Sequence, residues 1–182
     1  MGTVPRDEPT RSADRRFTLL VEQCRTDLYR FLLRRSGNPD LAEEVLQESL
    51  VRAYRSLERL PAWSMARPWL FGIARHVLLD ELRRQKVRSG PALEDSLAAD
   101  PAESPEQRLE ASKWTHHLRS EVEQLDPPKP EIIDLFYGGG LGVAEIGRLL
   151  NMPEATVKTH LHRARAALRR SLCARMEPGG GS

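Results

Sequence analysis

Residues 142–165 read GVAEIGRLLNMPEATVKTHLHRAR, a pattern of two helices joined by a tight turn at Asn151 and Met152. Pro153 follows the turn, and the first turn of a helix tolerates proline because an N–H there has no intrahelical partner. The second helix is therefore predicted to start just after Pro153. The small residues Ala144 and Gly147 allow the two helices to pack closely. Together these features predict a helix-turn-helix hairpin.

The second helix of this hairpin has two different faces. Val157, Leu161, Ala164 and Leu168 recur at three- and four-residue steps, which predicts one buried stripe. The opposite face carries side chains that reach bases and phosphates: Lys158, Thr159, His162, Arg163, Arg165 and Arg169. This layout favours a helix that reads DNA. An ordinary helical hairpin with a solvated basic face is the alternative.

The charge of the chain is clustered rather than large. The 182 residues are 40% hydrophobic and 30% charged, as in a soluble globular protein, and the net charge is only +2. Residues 154–175 contain six Lys or Arg and one Glu, whereas residues 89–112 contain six acidic residues and one Arg. Any affinity for nucleic acid must therefore come from the local basic segment near the C-terminal end.

Several classes of protein are disfavoured by what the sequence lacks. It has no run of eighteen apolar residues and its first residues are charged, so we expect a cytoplasmic protein without membrane insertion. Cys24 and Cys173 are far apart and are expected to be buried free thiols. His160 and His162 point to different sides of a helix, so we expect no metal site. No nucleophile–base pair or phosphate-binding glycine loop is present, and we expect neither a cofactor nor enzymatic activity.

The chain is predicted to be all-α, with two small helical domains joined by a flexible acidic linker. No segment alternates as a strand would. Helices are predicted at about residues 14–35, 40–60, 69–86, 106–125 and 131–137, with Asp40 capping the second. Gly138, Gly139 and Gly140 are predicted to form a loose spacer before the hairpin. The predicted divisions are a disordered N-terminus at 1–13, domains at 14–87 and 106–175, a linker at 88–105 and a flexible tail at 176–182.

The second predicted helix exposes an acidic stripe. Helical spacing places five residues on one side of it: Glu44, Gln47, Glu48, Val51 and Arg55. An acidic stripe that includes an exposed apolar residue fits a partner helix that is basic and partly apolar. Simple solvation of the stripe is the alternative.

The third predicted helix and the loop before it have the composition of a single-strand site. The helix is basic at Arg75, Arg83 and Arg84, and the loop contains Trp63 and Met65. An unstacked base costs a few kcal/mol to extract and is held by stacking and hydrogen bonds to its edge. Trp63 and Met65 are therefore candidate walls for such a base. Plain core packing is the alternative for Trp63 and for Trp69.

Three blocks of this sequence resemble bacterial extracytoplasmic-function (ECF) sigma factors. The blocks occur in the family's order and have these sequences: DLAEEVLQE at 40–48 followed by RAYR at 52–55, PWLFGIARH at 68–76, and TVKTHLHRAR at 156–165. The first resembles the polymerase-binding helix, the second the promoter-melting helix, and the third the helix that recognises the upstream element. His76 stands where the family often has Asn, which puts the strand contact at that position in question.

The resemblance implies three sets of site residues. The set for core polymerase is Asp40, Glu43, Glu44, Gln47, Glu48 and Val51. The set for the −10 element is Trp63, Met65, Arg67, Arg75, His76, Arg83 and Arg84. The set for the −35 element is Thr156, Lys158, Thr159, His160, His162, Arg163 and Arg165.

By the same resemblance, the partners are core RNA polymerase, through its beta-prime clamp helices and beta flap, promoter DNA and a cognate anti-sigma factor. The implied function is that of an alternative sigma factor that directs transcription of a stress- or signal-responsive regulon. A stand-alone, dimeric helix-turn-helix regulator remains the second hypothesis.

Overall fold

The computed structural model describes residues 8–88 and 117–176, and all regular structure in these residues is helical. Two 3₁₀ turns, Leu57–Arg59 and Trp63–Met65, connect the second and third helices, and a π-helical turn, Asp134–Gly138, follows the fifth. The α-helices, in chain order, are α1 (Glu8–Ser36), α2 (Pro39–Arg55), α3 (Ala66–Arg88), α4 (117–123), α5 (Lys129–Ile133), α6 (Val143–Leu150) and α7 (Glu154–Met176). The all-α prediction is thus confirmed.

The predicted boundaries differ from the structure most clearly in the first three helices, and α3 begins at Ala66 rather than near residue 69. Helix α1 begins at Glu8, so residues 8–13, which were predicted to be disordered, are helical. Helix α2 ends at Arg55 rather than near residue 60, and a 3₁₀ turn follows it. Residues 1–7, the tail after Met176, the linker beyond Arg88 and the predicted start of the fourth helix lie outside the described residues.

The polar caps explain where α1 ends and α2 begins. Gly37 adopts φ of +67°, which suits glycine, and its N–H donates to the carbonyl of Leu33 at 2.8 Å. The side chain of Asn38 accepts hydrogen bonds from the backbone N–H groups of Asp40 and Leu41 at 2.9 and 3.1 Å. Asn38 is therefore the cap that was assigned to Asp40, and Asp40 lies in the first turn.

The helix-turn-helix hairpin forms as predicted. Asn151 ends α6 in the left-handed conformation with φ of 53°, which Asn tolerates better than most residues. Gly147 is needed because a Cβ there would lie 2.8 Å from the carbonyl oxygen of Met152. The α7 residues Val157, Leu161 and Ala164 are buried.

The helices before and after the undescribed segment share one hydrophobic core. In it, the ring centroids of Phe31 in α1 and Phe71 in α3 are 5.7 Å apart. A Cβ on Gly139 would lie 2.7 Å from the Phe71 ring, so the backbone after the π-helical turn rests directly on that ring. Gly138 and Gly139 are buried. The glycine run is therefore a close-packing surface, and its prediction as a loose spacer was wrong.

Two arginines of α3 form hydrogen bonds and ion pairs across this core. Arg67 donates to the carbonyl oxygens of Gly139 and Gly140, both at 2.9 Å. Its guanidinium also pairs with Asp27 at 3.0 Å and with Glu145 at 3.3 Å. Arg75 makes two hydrogen bonds to the carboxylate of Glu131, one of them 3.1 Å long.

The carboxylate of Asp134, in the π-helical turn, is buried between the side chains of two α1 arginines. Arg34 lies 3.4 Å from one oxygen and Arg35 lies 3.5 Å from the other. Burial nevertheless raises the pKa of Asp134 above its ordinary value, because loss of hydration outweighs the attraction of the two guanidinium groups. Cys24 is buried as expected, and burial raises its pKa, whereas Cys173 is exposed, contrary to expectation.

We expect Asp134→Asn to change stability in a pH-dependent way. A raised pKa means that folding favours the neutral carboxyl, so the wild type gains stability as the pH falls through that pKa and loses it as the pH rises. Asn resembles the neutral form. The free energy of unfolding of the variant, measured with urea, should therefore exceed that of the wild type at pH 7. The difference should become smaller towards pH 4.

Asp126→Asn is the control with the opposite sign. A hydrogen bond from Lys129 lowers the pKa of the exposed Asp126 carboxyl, so its charge favours folding above its ordinary pKa. This variant should be slightly less stable than the wild type at pH 7, with the difference vanishing in acid. An Asp134→Asn difference that is constant from pH 4 to pH 7 would contradict the assignment.

Candidate nucleic-acid and protein interfaces

The outward face of α2 is acidic, as its spacing predicted. Glu44, Gln47, Glu48 and Val51 are all exposed, and Val51 retains 44% of its accessible surface. Asp40 is exposed one turn before Glu44. An exposed apolar side chain among carboxylates is a feature of a docking surface rather than of a purely solvated helix.

Two acids of this face are held by neighbouring side chains. The carboxylate of Glu43 accepts from Arg25 of α1 at 3.3 Å and from Gln47 at 3.2 Å. Glu48 pairs with Arg52 one turn later at 2.6 Å. Glu44 is exposed and has no ion pair within the described parts of the chain.

The structure adds a second wall that sequence reasoning missed. A groove of about 390 Å³ separates the α2 face from α3, which contributes Val77, Asp80, Glu81 and Arg84. Asp80 pairs with Arg83 at 3.3 Å and Glu81 with Arg84 at 3.2 Å. The acids of the two helices thus face one groove whose floor is partly apolar. The sequence does contain two adjacent acids, Asp80 and Glu81. They could not be assigned to this groove from the sequence because the packing of α3 beside α2 was not known.

The loop before α3 holds its aromatic residue at the surface of the core. Trp63 and Met65 are half-buried, and Trp63 packs on the core without being enclosed by it. The guanidinium of Arg16 lies over the Trp63 ring, 5.8 Å from its centroid. Trp69 is also half-buried against the core. Trp63 therefore combines a packing role with access to the surface.

The basic residues of the loop and α3 divide into two groups. Arg67 and Arg75 are half-buried and engaged by acceptors that follow the undescribed segment, as described above. His76, Arg83 and Arg84 are exposed, and the two arginines are paired only with acids one turn before them. His76, Arg83 and Arg84 can therefore contact a ligand in this conformation. Arg67 and Arg75 can do so only after they release their present acceptors.

Most of the predicted reading face of α7 is open. Lys158, Thr159, His162 and Arg163 are exposed, and the Thr159 hydroxyl donates to the carbonyl of Ala155 at 2.9 Å. Thr156 and His160 are half-buried at the edge of this face. The Nδ1 atom of His160 is buried and has no hydrogen-bond partner among the residues that the structure describes.

Arg165 lies on an aromatic pair rather than facing outward alone. Its guanidinium is 5.3 Å from the Phe136 ring centroid and 5.5 Å from that of Tyr137. Its Nε also donates to the Tyr137 hydroxyl at 2.8 Å. These contacts tie the middle of α7 to the π-helical turn, a role that the spacing along α7 could not reveal.

Comparisons with known proteins agree with this geometry. Residues 20–88 match the family model for sigma-70 region 2, and residues 117–168 match that for sigma-70 region 4. The chain is 33% identical over 152 residues to the ECF RNA polymerase sigma factor SigM of Bacillus subtilis, covering 82% of this chain and 91% of the relative. It is 33% identical over 154 residues to SigL of Mycobacterium tuberculosis, covering 84% and 86%.

A solved structure has the same fold. The sigma factor RpoE from Bartonella quintana, in complex with the anti-sigma factor NepR, superposes with a TM-score of 0.65 at 19% identity, covering 91% of this chain and 98% of that one. No helix within the described ranges is both long and apolar enough to cross a membrane. The two matched regions and the full-length relatives show that this chain belongs to the extracytoplasmic-function family of RNA polymerase sigma factors, the alternative sigma factors that direct transcription initiation.

Proposed function

We propose that this chain binds core polymerase through α2, holds the −10 element at the loop and α3, and binds the −35 element with α7. The observation that carries the proposal is the separation of three chemically different surfaces on one chain. One is acidic and partly apolar, one combines aromatic and basic side chains, and one is a helix-turn-helix. Their order along the chain is that of the family regions matched at 20–88 and 117–168.

The polymerase-binding part of the proposal rests on the α2 face and its groove. The exposed Glu44, the paired Glu48 and Val51 suit a basic helix that presents an apolar residue, which is the chemistry expected of the beta-prime clamp helices. The beta flap is proposed as a second contact, made by the helices around α7. A cytoplasmic subunit without a catalytic centre of its own fits this role.

Binding of the −10 strand requires a change in the chain. Arg67 and Arg75 hold acceptors of the C-terminal helices in this structure, so promoter DNA would compete with Glu131, Glu145 and two backbone carbonyls for them. The proposed −10 site is therefore incomplete until α5 and α6 move away from α3. We propose that the chain opens when it joins the polymerase.

An anti-sigma factor is the proposed inhibitory partner. A solved structure of the same fold, RpoE, is in complex with the anti-sigma factor NepR, and another, CnrH, is in complex with the cytosolic domain of CnrY at a TM-score of 0.64. A protein that stabilised the packing of α3 against α6 would keep Arg67 and Arg75 away from DNA. The second hypothesis, a stand-alone regulator, is not favoured by the match to region 2.

Reversing Glu44 and Glu48 to Lys should abolish co-elution with core polymerase in gel filtration, because like charges would then face the basic partner. The matched control is Glu22→Lys with Glu58→Lys, which makes the same change in net charge at two exposed acids outside the α2 face. Co-elution of the folded Glu44/Glu48 variant at the wild-type level would remove the assignment.

Lys158→Ala and Arg163→Ala should affect DNA binding by α7 in different ways. A base contact discriminates by about 1–3 kcal/mol, so losing Lys158 should relax the preferred upstream sequence. Losing a phosphate contact at Arg163 should lower the salt slope by about one and weaken all sequences alike. The measurement is binding of the holoenzyme to a randomised upstream library at several salt concentrations. An unchanged preference after Lys158→Ala would exclude that residue as a base reader.

Glu131→Gln should shift the free chain towards an open state, because it removes the charged partner of Arg75. Small-angle X-ray scattering should then give a radius of gyration above the roughly 16 Å expected of a compact chain of this length. The exchanged pair, Arg75→Glu with Glu131→Arg, should restore compactness but weaken binding of the −10 strand, because position 75 then carries a carboxylate instead of a guanidinium group. If Glu131→Gln left the radius and the affinity for that strand at wild-type values, the pair would not control access to Arg75.

A further inference from the structure

The first turns of α1 reach the loop that carries Trp63. Arg16 is exposed, and its guanidinium lies 5.8 Å from the Trp63 ring centroid, within the range of a cation–π contact. None of the α1 residues was assigned to promoter binding from the sequence. The start of this helix thus adds a cation to the one surface aromatic of the proposed strand site.

This position of Arg16 is fixed by its neighbours in α1. The Tyr54 hydroxyl at the end of α2 donates to the carboxylate of Asp14 at 2.9 Å. Phe17 is buried, and its ring centroid lies 5.5 Å from that of Tyr54. Asp14 and Phe17 flank Arg16 and anchor α1 to α2 on either side of it, so the guanidinium is presented to Trp63 by a braced helix.

The cations near this loop differ from those of α3. Arg15, Arg16, Arg55 and Arg59 are exposed, and none forms an ion pair with another residue in the described parts of the chain. Arg55 follows Tyr54 directly, and Arg59 lies in the 3₁₀ turn between α2 and the loop. By contrast, Arg67, Arg75, Arg83 and Arg84 all have carboxylate partners. Arg16 is therefore a cation on the Trp63 ring that no carboxylate in the described ranges neutralises.

We infer that the start of α1 is part of the promoter-strand site and that Arg16 holds single-stranded DNA at Trp63. This inference rests on the proposed function of the loop. Aromatic rings that stack bases, combined with arginines that stack on bases and bind phosphates, are what single-stranded nucleic acid requires. Arg16 supplies the stacking cation beside the Trp63 ring. No hydrogen bond, ion pair or cation–π contact within residues 8–88 and 117–176 joins Arg16 or Trp63 to α5 or α6, so this site does not require those helices to move.

The test compares Arg16→Ala, Arg16→Lys and Arg30→Ala in the holoenzyme. Arg30 is an exposed arginine of the same helix, fourteen residues and roughly 21 Å further along, and it serves as the control for loss of one charge. The probes are a forked promoter DNA, enriched in vitro on the wild-type holoenzyme, and the same DNA trimmed of its single-stranded non-template overhang.

Arg16→Ala should weaken binding of the overhang DNA about three- to tenfold, the size expected for one exposed stacking and phosphate contact. Binding of the trimmed duplex and co-elution with core polymerase should not change. The affinity of Arg16→Lys for the overhang DNA should lie between those of the wild type and Arg16→Ala, because Lys keeps the charge but stacks poorly. Arg30→Ala should match the wild type on both probes.

Two results would overturn the inference in different ways. If Arg16→Ala bound the overhang DNA as tightly as the wild type while Trp63→Ala bound it weakly, the strand site would stand and Arg16 would only cover the tryptophan. If the wild-type holoenzyme bound the overhang and trimmed probes equally, the proposed strand site itself would fail, and the role of Arg16 with it.

Discussion

The packing of this chain depends on the hydrogen-bond acceptors that surround the Arg67 guanidinium group. A guanidinium removed from water needs acceptors, and Arg67 finds them in two carboxylates and in the carbonyls of Gly139 and Gly140. Those carbonyls are within reach only because the backbone at Gly139 rests on the Phe71 ring without a side chain between them. Gly140 turns the chain away with φ of +60°, a conformation that glycine adopts without strain. The close approach of the α3 start to α6 follows from this one arrangement.

This arrangement occupies two arginines of the proposed −10 site. A DNA phosphate at that site would compete with the present acceptors of Arg67 and Arg75, because the planar guanidinium group can donate paired hydrogen bonds either to a carboxylate or to a phosphate. Two packings of one chain are accessible to a ligand only if their free energies differ by a few kcal/mol. Glu131 is half-buried rather than enclosed, so its pair with Arg75 remains exchangeable.

The features that could be predicted from the sequence are those that depend on residue spacing within one helix or on local backbone conformation. The α2 stripe and the α7 stripe follow from spacing alone, and the turn at Asn151 follows from local backbone chemistry, so all three were confirmed. Arg75 and Glu131 are fifty-six residues apart and Arg67 and Gly140 seventy-three apart, and no local pattern encodes such pairs. The early start of α1 was missed because the first thirteen residues are rich in proline and charge, a composition that is typical of disordered segments. The glycine run was predicted to be a loose spacer because glycine occurs both in flexible segments and where two elements pack closely, and the sequence does not distinguish the two.

The accessibility of each surface in the closed chain suggests an order of events. Glu44, Gln47 and Val51 are exposed while Arg67 and Arg75 are occupied, so the proposed docking of polymerase on α2 does not require the helices to separate first. Separation costs the ion pairs and the apolar contact at Phe71, and a partner that binds the open chain more tightly supplies that free energy. In this scheme DNA alone could use Arg16 and Trp63 of the closed chain, but its contacts with Arg67 and Arg75 form only after the chain has opened. Docking of polymerase therefore comes first in this scheme, and recognition of the −10 strand follows from it.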